Sequence, residues 1–287
     1  MTFDLTTMDS ILDPPKLIIN VALTGIVPMK QDNPNVPISE EEIVEDAIRC
    51  CDAGASIIHI HARDASCQPA WQTAIYKRII SQIRSERPSL IICVTTSGRV
   101  FHALEQRAAS LHADPDMASL TLGSMNFPSM ASVNDLETIT LLAEQMKNHK
   151  PKRIVPEMEI FELGMLNTAK YLIRKGVMVP PFYCNLLLGS LGTISAEPDN
   201  LLSLIRSLPL GMTWSATGIG AYQHFINCLA VDLGGHVRVG LEDSLYEDPK
   251  KARLATNLGL VNRIAEVART RGREVATPSE ARSIIGL

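Results

Sequence analysis

Eight short runs of β-branched and other apolar residues, each followed by a helical pattern, constrain this chain more than any other feature of its sequence. They are KLIINVALTG (16–25), SIIHIHARD (56–64), SLIICVTTSG (89–98), MASLTLGS (117–124), RIVPEMEIF (153–161), FYCNLLLGS (182–190), MTWSATGIG (212–220) and HVRVGLED (236–243). Strands that are apolar on both faces belong to parallel sheets covered by helices. Eight such units predict a closed (β/α)8 TIM barrel, with an open doubly wound sheet as the alternative. Polar residues gather at the C-terminal ends of the runs, as TG, HARD, TTSG, GS, TGIG and GLED. That asymmetry favours the barrel, whose active sites lie at that end. Residues 1–287 are read as one barrel domain with 1–15 as an N-terminal extension, and the Pro-bearing stretches 14–15, 34–37 and 180–181 as loops. Within SEEEIVEDAIRCCDAG (39–54), Ser39 followed three residues on by Glu42 marks a helix start, and another helix is predicted near 72–86.

Composition narrows the function. With 46% hydrophobic and 20% charged residues the chain of 287 reads as a globular protein with a sizeable core. A formal net charge of -4, without a basic stripe, argues against nucleic acid as a partner. The opening MTFDLTTMDSILDPPK lacks a basic-then-apolar leader pattern and no apolar run reaches membrane-spanning length, so a cytoplasmic protein without membrane association is expected. The six cysteines form no CxxC pair and read as reduced thiols, most of them in the core.

Chemistry enters at SIIHIHARD. His59 and His61, two residues apart on a strand, point to one face near its polar end. Neutral imidazole is a common zinc ligand, so the pair is read as metal-binding in preference to hydrogen-bonded core histidines. Catalytic zinc usually has three protein ligands and an open position. Glu242, at the end of the eighth run and on the same strand face as Arg238 and Gly240, is the best third donor; its other reading is a structural acid paired with Arg238. Asp243 next to it is either a general base supported by Arg238 or the N-cap of the following segment. Thr95, Thr96, Ser97 and Gly98 end the third run, where hydroxyls and backbone N–H groups can receive a carboxylate. Ser119 shares a face with Thr121, and Glu157 with Glu159; two inward glutamates imply site chemistry or a buried ion pair. The GIG at 218–220 reads as a tight turn, or as a phosphate site of the kind barrels carry there.

The run VALTGIVPMKQDNPNVPISEEEIVEDAIRCCDAGASIIHIHARD, with VTTSGRV, LTLGSMNFP, PEMEIFELG and GHVRVGLEDSLY in that order, resembles the β-keto acid cleavage enzymes over nearly the whole chain. The resemblance implies a zinc-dependent barrel that exchanges acyl halves between a β-keto acid and acetyl-CoA, giving acetoacetate and a new acyl-CoA. It further implies zinc at His59, His61 and Glu242, a base at Asp243 supported by Arg238, substrate contacts at Thr95, Gly98 and Ser119, and a homotetramer. Family members that take a primary-amine keto acid carry a glutamate two residues after the TG, where this chain has Val27, while Glu159 matches their second acidic residue. Losing one carboxylate argues against a primary-amine substrate and for a neutral keto acid or a quaternary ammonium, with Lys30 as a feature that would instead favour an anionic tail. The rival readings are another metal-dependent barrel, either a lyase of the hydroxymethylglutaryl-CoA type or a hydrolase needing further histidines, and a non-catalytic carboxylate-binding barrel.

Overall fold

The computed structural model describes residues 13–287, so most of the expected 1–15 extension lies outside the described residues. Eight parallel strands form a closed barrel: β1 (Ile19–Ala22), β2 (Ile57–Ile60), β3 (Ile91–Val94), β4 (Met117–Thr121), β5 (Val155–Ile160), β6 (Phe182–Leu188), β7 (Met212–Gly218) and β8 (His236–Val239). Each pairs with its successor, and β8 returns to β1 through Ile19↔Val237 and Asn20↔Arg238, which excludes the open sheet. The helices are α1 (Glu40–Asp52), α2 (Thr73–Glu86), α3 (Leu104–Ala108), α4 (Leu136–Asn148), α5 (Leu163–Arg174), α6 (Pro198–Ser207), α7 (Gln223–Asp232), α8 (Asn257–Thr270) and α9 (Pro278–Ile285). One helix follows each strand, and α9 is additional. A short antiparallel pair, Met125–Asn126 with Ala131–Ser132, interrupts the path from β4 to α4; nothing in the sequence pattern predicted it.

Local sequence explains the elements. Ser39 accepts from the Glu42 N–H while Glu42 accepts from the Ser39 N–H, the capping box expected at the start of α1. Ile43, Val44, Ala47 and Cys50 then fall on one buried face at helical spacing, toward the layer between helices and sheet. Inside the barrel, the side-chain period of two stacks distinct layers. Ile18, Ile57, Ile91, Met117, Val155 and Tyr183 form an apolar floor, sealed by Ala281 and Ile285 of α9. Two residues further along the same strands come Asn20, His59, Cys93, Ser119, Glu157 and Asn185, joined by Arg238 of β8, a polar layer that is almost completely buried. The chemistry sits directly above that layer. All six cysteines are free, with Cys50, Cys93 and Cys184 buried, Cys51 and Cys228 half-buried and Cys67 exposed. Among the described residues no helix is long and apolar enough to cross a membrane.

The opposite end is held by a different charge cluster. Buried Asp116, just before β4, accepts from the Ile92 N–H at 3.0 Å and faces Arg84 of α2 at 3.3 Å, Arg282 of α9 at 3.0 Å, and Lys152. Burial would raise its pKa, but these partners bring it from 3.8 down to about 2. A carboxylate with a depressed folded-state pKa stabilises the fold above its unfolded value and loses that contribution as pH falls through the folded one. Asp116→Asn is therefore expected to lower stability at neutral pH by about 1–3 kcal/mol. The difference from wild type should close between pH 4 and 2 in chemical denaturation. A difference independent of pH over that window would contradict the assignment.

Candidate active site

The strand C-termini open into a cavity of about 280 Å³. Its charged floor is formed by His61 just after β2, Glu159 of β5, Arg238 of β8, and Glu242 and Asp243 in the turn after β8. Barrel closure thus brings together residues separated by most of the chain, as the sequence reading expected.

His59 and His61 have ring centroids 5.1 Å apart. Glu242 reaches both, with Oε1 at 3.4 Å from His61 Nε2 and Oε2 at 3.8 Å from His59 Nε2. Gly25, in the TG after β1, makes room for it: at φ +70° a Cβ there would lie 2.7 Å from Glu242 Cγ. Beneath, Glu157 Oε2 stands 2.8 Å from His59 Nδ1, and its Oε1 accepts from Asn20 at 2.6 Å and Asn185 at 2.7 Å. Burial opposes ionisation of Glu157, yet His59, Arg238 and Asn20 bring its pKa down to about 2. An ionised Glu157 only accepts, so His59 donates from Nδ1 and presents Nε2 to Glu242; against burial, Glu157 and Glu242 raise the His59 pKa.

The donor set suits a divalent cation. Among the described residues, His59 Nε2 and Glu242 Oε2 are buried without any hydrogen-bond partner, and both face the space between the two histidines and Glu242. Buried polar atoms are rarely left unpaired without reason, and a metal-ligand bond satisfies both. Burial holds His61 below its ordinary pKa; against burial, His61, Arg238 and His59 hold Glu242 well below the carboxylate range. A neutral imidazole and an ionised carboxylate are the ligand forms. A second cluster, His59 with Cys93 and Glu157, lies deeper. There burial pushes the Cys93 thiol well up and it donates to Glu157 at 3.3 Å, so that group is a hydrogen-bond network.

Beside the donor set, Arg238 grips Asp243 with two bonds, Nε to Oδ2 at 2.8 Å and NH2 to Oδ1 at 3.1 Å. It also reaches Glu242 at 3.1 Å and Glu159 at 3.4 Å. The pairing with Arg238 read for Glu242 is thus present, alongside its place between the two histidines. Burial, helped by neighbouring Glu242, raises the Asp243 pKa while Arg238 pulls it down. The N-cap alternative for Asp243 fails because residues 241–243 form a turn and no helix starts there.

The other expected residues divide. Thr95, Val27 and Glu159 line the cavity, with Val27 half exposed and Glu159 accepting from Thr121 Oγ1 at 2.6 Å. Ser119 does not line it; its Oγ accepts from the Thr96 N–H at 3.1 Å and its carbonyl accepts from the Thr96 hydroxyl at 2.6 Å. Gly98 does not line it either, and a Cβ there would come within 2.8 Å of the Arg107 guanidinium and 2.6 Å of the Val133 carbonyl oxygen. Lys30 is paired with Glu42 at 2.7 Å, outside the cavity, which removes it as a grip for an anionic tail. The GIG is a turn: its Ile219 and Gly220 N–H groups donate to the carbonyls of Leu188 and Asp243, so they are not free for phosphate. His102, His112, His149, His224 and His236 do not line the cavity, which leaves the hydrolase reading without its further histidines. Two features escaped the sequence reading. The β4 hairpin supplies Met125, Phe127 and Ser132 to one wall, and Arg99 projects into the cavity; Arg99 follows TTSG directly, and that position was its only signal.

Residues 16–287 match the family model described as beta-keto acid cleavage enzyme. The chain is 37% identical over 273 residues to the 3-keto-5-aminohexanoate cleavage enzyme of Acetoanaerobium sticklandii, covering 95% of this chain and 98% of that protein. It is 35% identical to the 3-oxoadipate:acetyl-CoA acetyltransferase of Cupriavidus necator over 94% of each chain. It is also 29% identical to the 3-dehydrocarnitine:acetyl-CoA trimethylamine transferase of Rhizobium meliloti, over 93% of this chain and 95% of that one. Among solved structures, the apo structure of ObcA superimposes with a TM-score of 0.75 at 22% identity, covering 88% of this chain and 66% of that longer one, a likeness of fold.

Proposed function

The chain belongs to the beta-keto acid cleavage enzyme family, and from that premise we propose that it converts a β-keto acid and acetyl-CoA into acetoacetate and the acyl-CoA of the remaining half. The observation that carries the reading is the buried pair Arg238–Asp243 standing beside two histidines and a glutamate whose free donor atoms converge. In this reading His59, His61 and Glu242 hold a zinc ion, which supplies Lewis-acid polarisation of the keto-acid oxygens when bound. Match of residues 16–287 to one family model supports treating the chain as a single barrel domain. The family resemblance also brings a homotetramer, and free cysteines suit a cytoplasmic setting, into the proposal.

Asp243 takes a proton from C2 of the keto acid, its carboxylate kept in place by the two bonds from Arg238. C2 attacks the thioester carbonyl and the CoA thiolate leaves; the thiolate adds to the C3 carbonyl and the C2–C3 bond breaks. The electron pair returns to C2, which recovers its proton from Asp243 as acetoacetate departs. Thr95 offers its hydroxyl to the keto-acid carboxylate from the cavity wall. Ser119 and Gly98 act one step back: Ser119 anchors Thr96, and Gly98 lets Arg107 pass to donate to the Thr96 carbonyl at 2.9 Å.

Acetoacetate released from acetyl-CoA and a mixture of β-keto acids tests the reaction directly. Asp243→Asn preserves volume and removes the base, so turnover should fall by a factor of roughly 10² or more with metal content unchanged. Near-normal turnover would remove Asp243 from the chemistry.

Protein prepared without chelator is expected to contain one zinc per chain by elemental analysis. His59→Ala and His61→Ala should lose both the metal and acetoacetate formation while keeping the wild-type circular dichroism spectrum, because the apolar layers are complete without the ion. A barrel that unfolds when zinc is removed would instead make the metal structural.

Val27 faces the same cavity as Glu159. A buried ammonium needs charged or hydrogen-bonding partners, and lacking one of two costs roughly tenfold to a hundredfold in selectivity. Wild type should therefore disfavour 3-keto-5-aminohexanoate, and Val27→Glu should shift the ratio of kcat/KM values toward it. An unchanged ratio would show that Val27 does not set specificity.

A further inference from the structure

Every cation at the cavity except one is already engaged. Arg238 is shared among Asp243, Glu242 and Glu159, and His61 faces Glu242. Arg99 differs. Among the described residues no carboxylate lies within salt-bridge distance of its guanidinium, and its side chain donates no hydrogen bond; only its backbone N–H is used, toward Ser97 Oγ at 3.3 Å. Its guanidinium carbon sits 3.2 Å above the centre of the Phe127 ring, and Phe127 packs edge-on against Phe161 with centroids 5.8 Å apart. Stacking of this kind fixes the plane of the guanidinium and leaves its edge, with the N–H donors, free for a partner in the plane. The side chain is half-buried, and burial lowers the Arg99 pKa against the field of Glu242, Glu159 and Asp243. Desolvated donors without acceptors are costly to keep, and a planar fork of donors matches a carboxylate.

We propose that Arg99 is a specificity-determining residue that binds a second carboxylate, at the end of the β-keto acid remote from the reacting carbons, so that the preferred substrates are β-keto dicarboxylates. This deepens the β-keto acid reading and rests on it. The location selects the substrate tail over the phosphates of CoA as the bound anion. Arg99 lines the cavity that holds Glu242 and Asp243, and about 280 Å³ is at or below the small end of ligand pockets, roughly 300–1,000 Å³, enough for a short acid and too little for the CoA body. Thr95 on the same wall takes the carboxylate next to the reacting carbon, which leaves the tail to reach Arg99 on its Phe127 platform. The acyl-CoA released would carry a free carboxylate.

The test compares 3-oxoadipate with 3-oxohexanoate, a pair of equal length in which a carboxylate replaces a methyl group, at saturating acetyl-CoA in wild type, Arg99→Lys and Arg99→Met. Wild type should favour the dicarboxylate in kcat/KM. Arg99→Met should reduce that preference by about 10- to 100-fold, mainly through KM for the dicarboxylate, with Arg99→Lys recovering part of it. Circular dichroism confirms that each variant is folded. Calorimetric binding of unreactive adipate, lost in Arg99→Met, reports on the site without turnover, so it separates failure of this inference from failure of the cleavage reaction. Three results would overturn the inference: wild type that does not discriminate the pair, adipate binding that survives Arg99→Met, or a variant whose main defect is a raised KM for acetyl-CoA, which would assign Arg99 to a CoA phosphate.

Discussion

The carboxylate of Glu157 is the interaction on which the site depends. It is completely buried at the centre of the barrel, where an unpaired charge would cost several kcal/mol. Four strands relieve that cost: Asn20 from β1, His59 from β2, Cys93 from β3 and Asn185 from β6 all meet it. Arg238 of β8 approaches to 3.9 Å. The same bonds that make the charge tolerable engage His59 through Nδ1, and so leave Nε2 as the nitrogen that faces Glu242. A structural solution at one level of the barrel thereby becomes a chemical orientation at the level above.

Arg238 performs the matching task for positive charge. It lies within 4 Å of Glu157, Glu159, Glu242 and Asp243, so it belongs equally to the packing of the barrel and to the orientation of the proposed base. Deleting a fully buried member of such a network leaves its partners unpaired and typically costs about 3–5 kcal/mol. Replacing Arg238 by alanine would mix lost folding with lost chemistry. Asp243 is the cleaner probe because asparagine keeps its shape and one acceptor oxygen for Arg238.

The barrel and its donor set were legible because both follow from strict periods. The alternation of two placed His59 and His61 on one face, and barrel closure brought Glu242 to them; Glu242 does not share a strand face with Arg238 as expected, because β8 ends at Val239 and residues 241–243 form a turn. What failed to read was anything decided by a loop. Ser119 and Gly98 occur in the expected motifs, yet one is tied to Thr96 and the other is a passage for Arg107, a distinction that depends on packing rather than spacing. Lys30 looked available until its partner Glu42, twelve positions away along the chain, came into contact with it. Arg99 was passed over because its environment is created by Phe127 on a hairpin that has no periodic signal.

This division between strands and loops has a consequence for how such a barrel acquires specificity. The relatives named for an aminohexanoate, an oxoadipate and a dehydrocarnitine are matched over 93–95% of this chain, so the change of substrate among them needs no added domain. In this chain the charged layer is held by strands whose side chains satisfy one another, and altering any of them disturbs the rest. Val27, Arg99 and Phe127 sit on the rim, where Val27 is half exposed and Arg99 is held by a stacking contact rather than by ion pairs. Side chains placed this way can change identity without breaking the buried network. Reaction and recognition are thus carried by different layers: the one is constrained by a network of mutually paired buried charges, and the other can vary because its side chains are not members of that network.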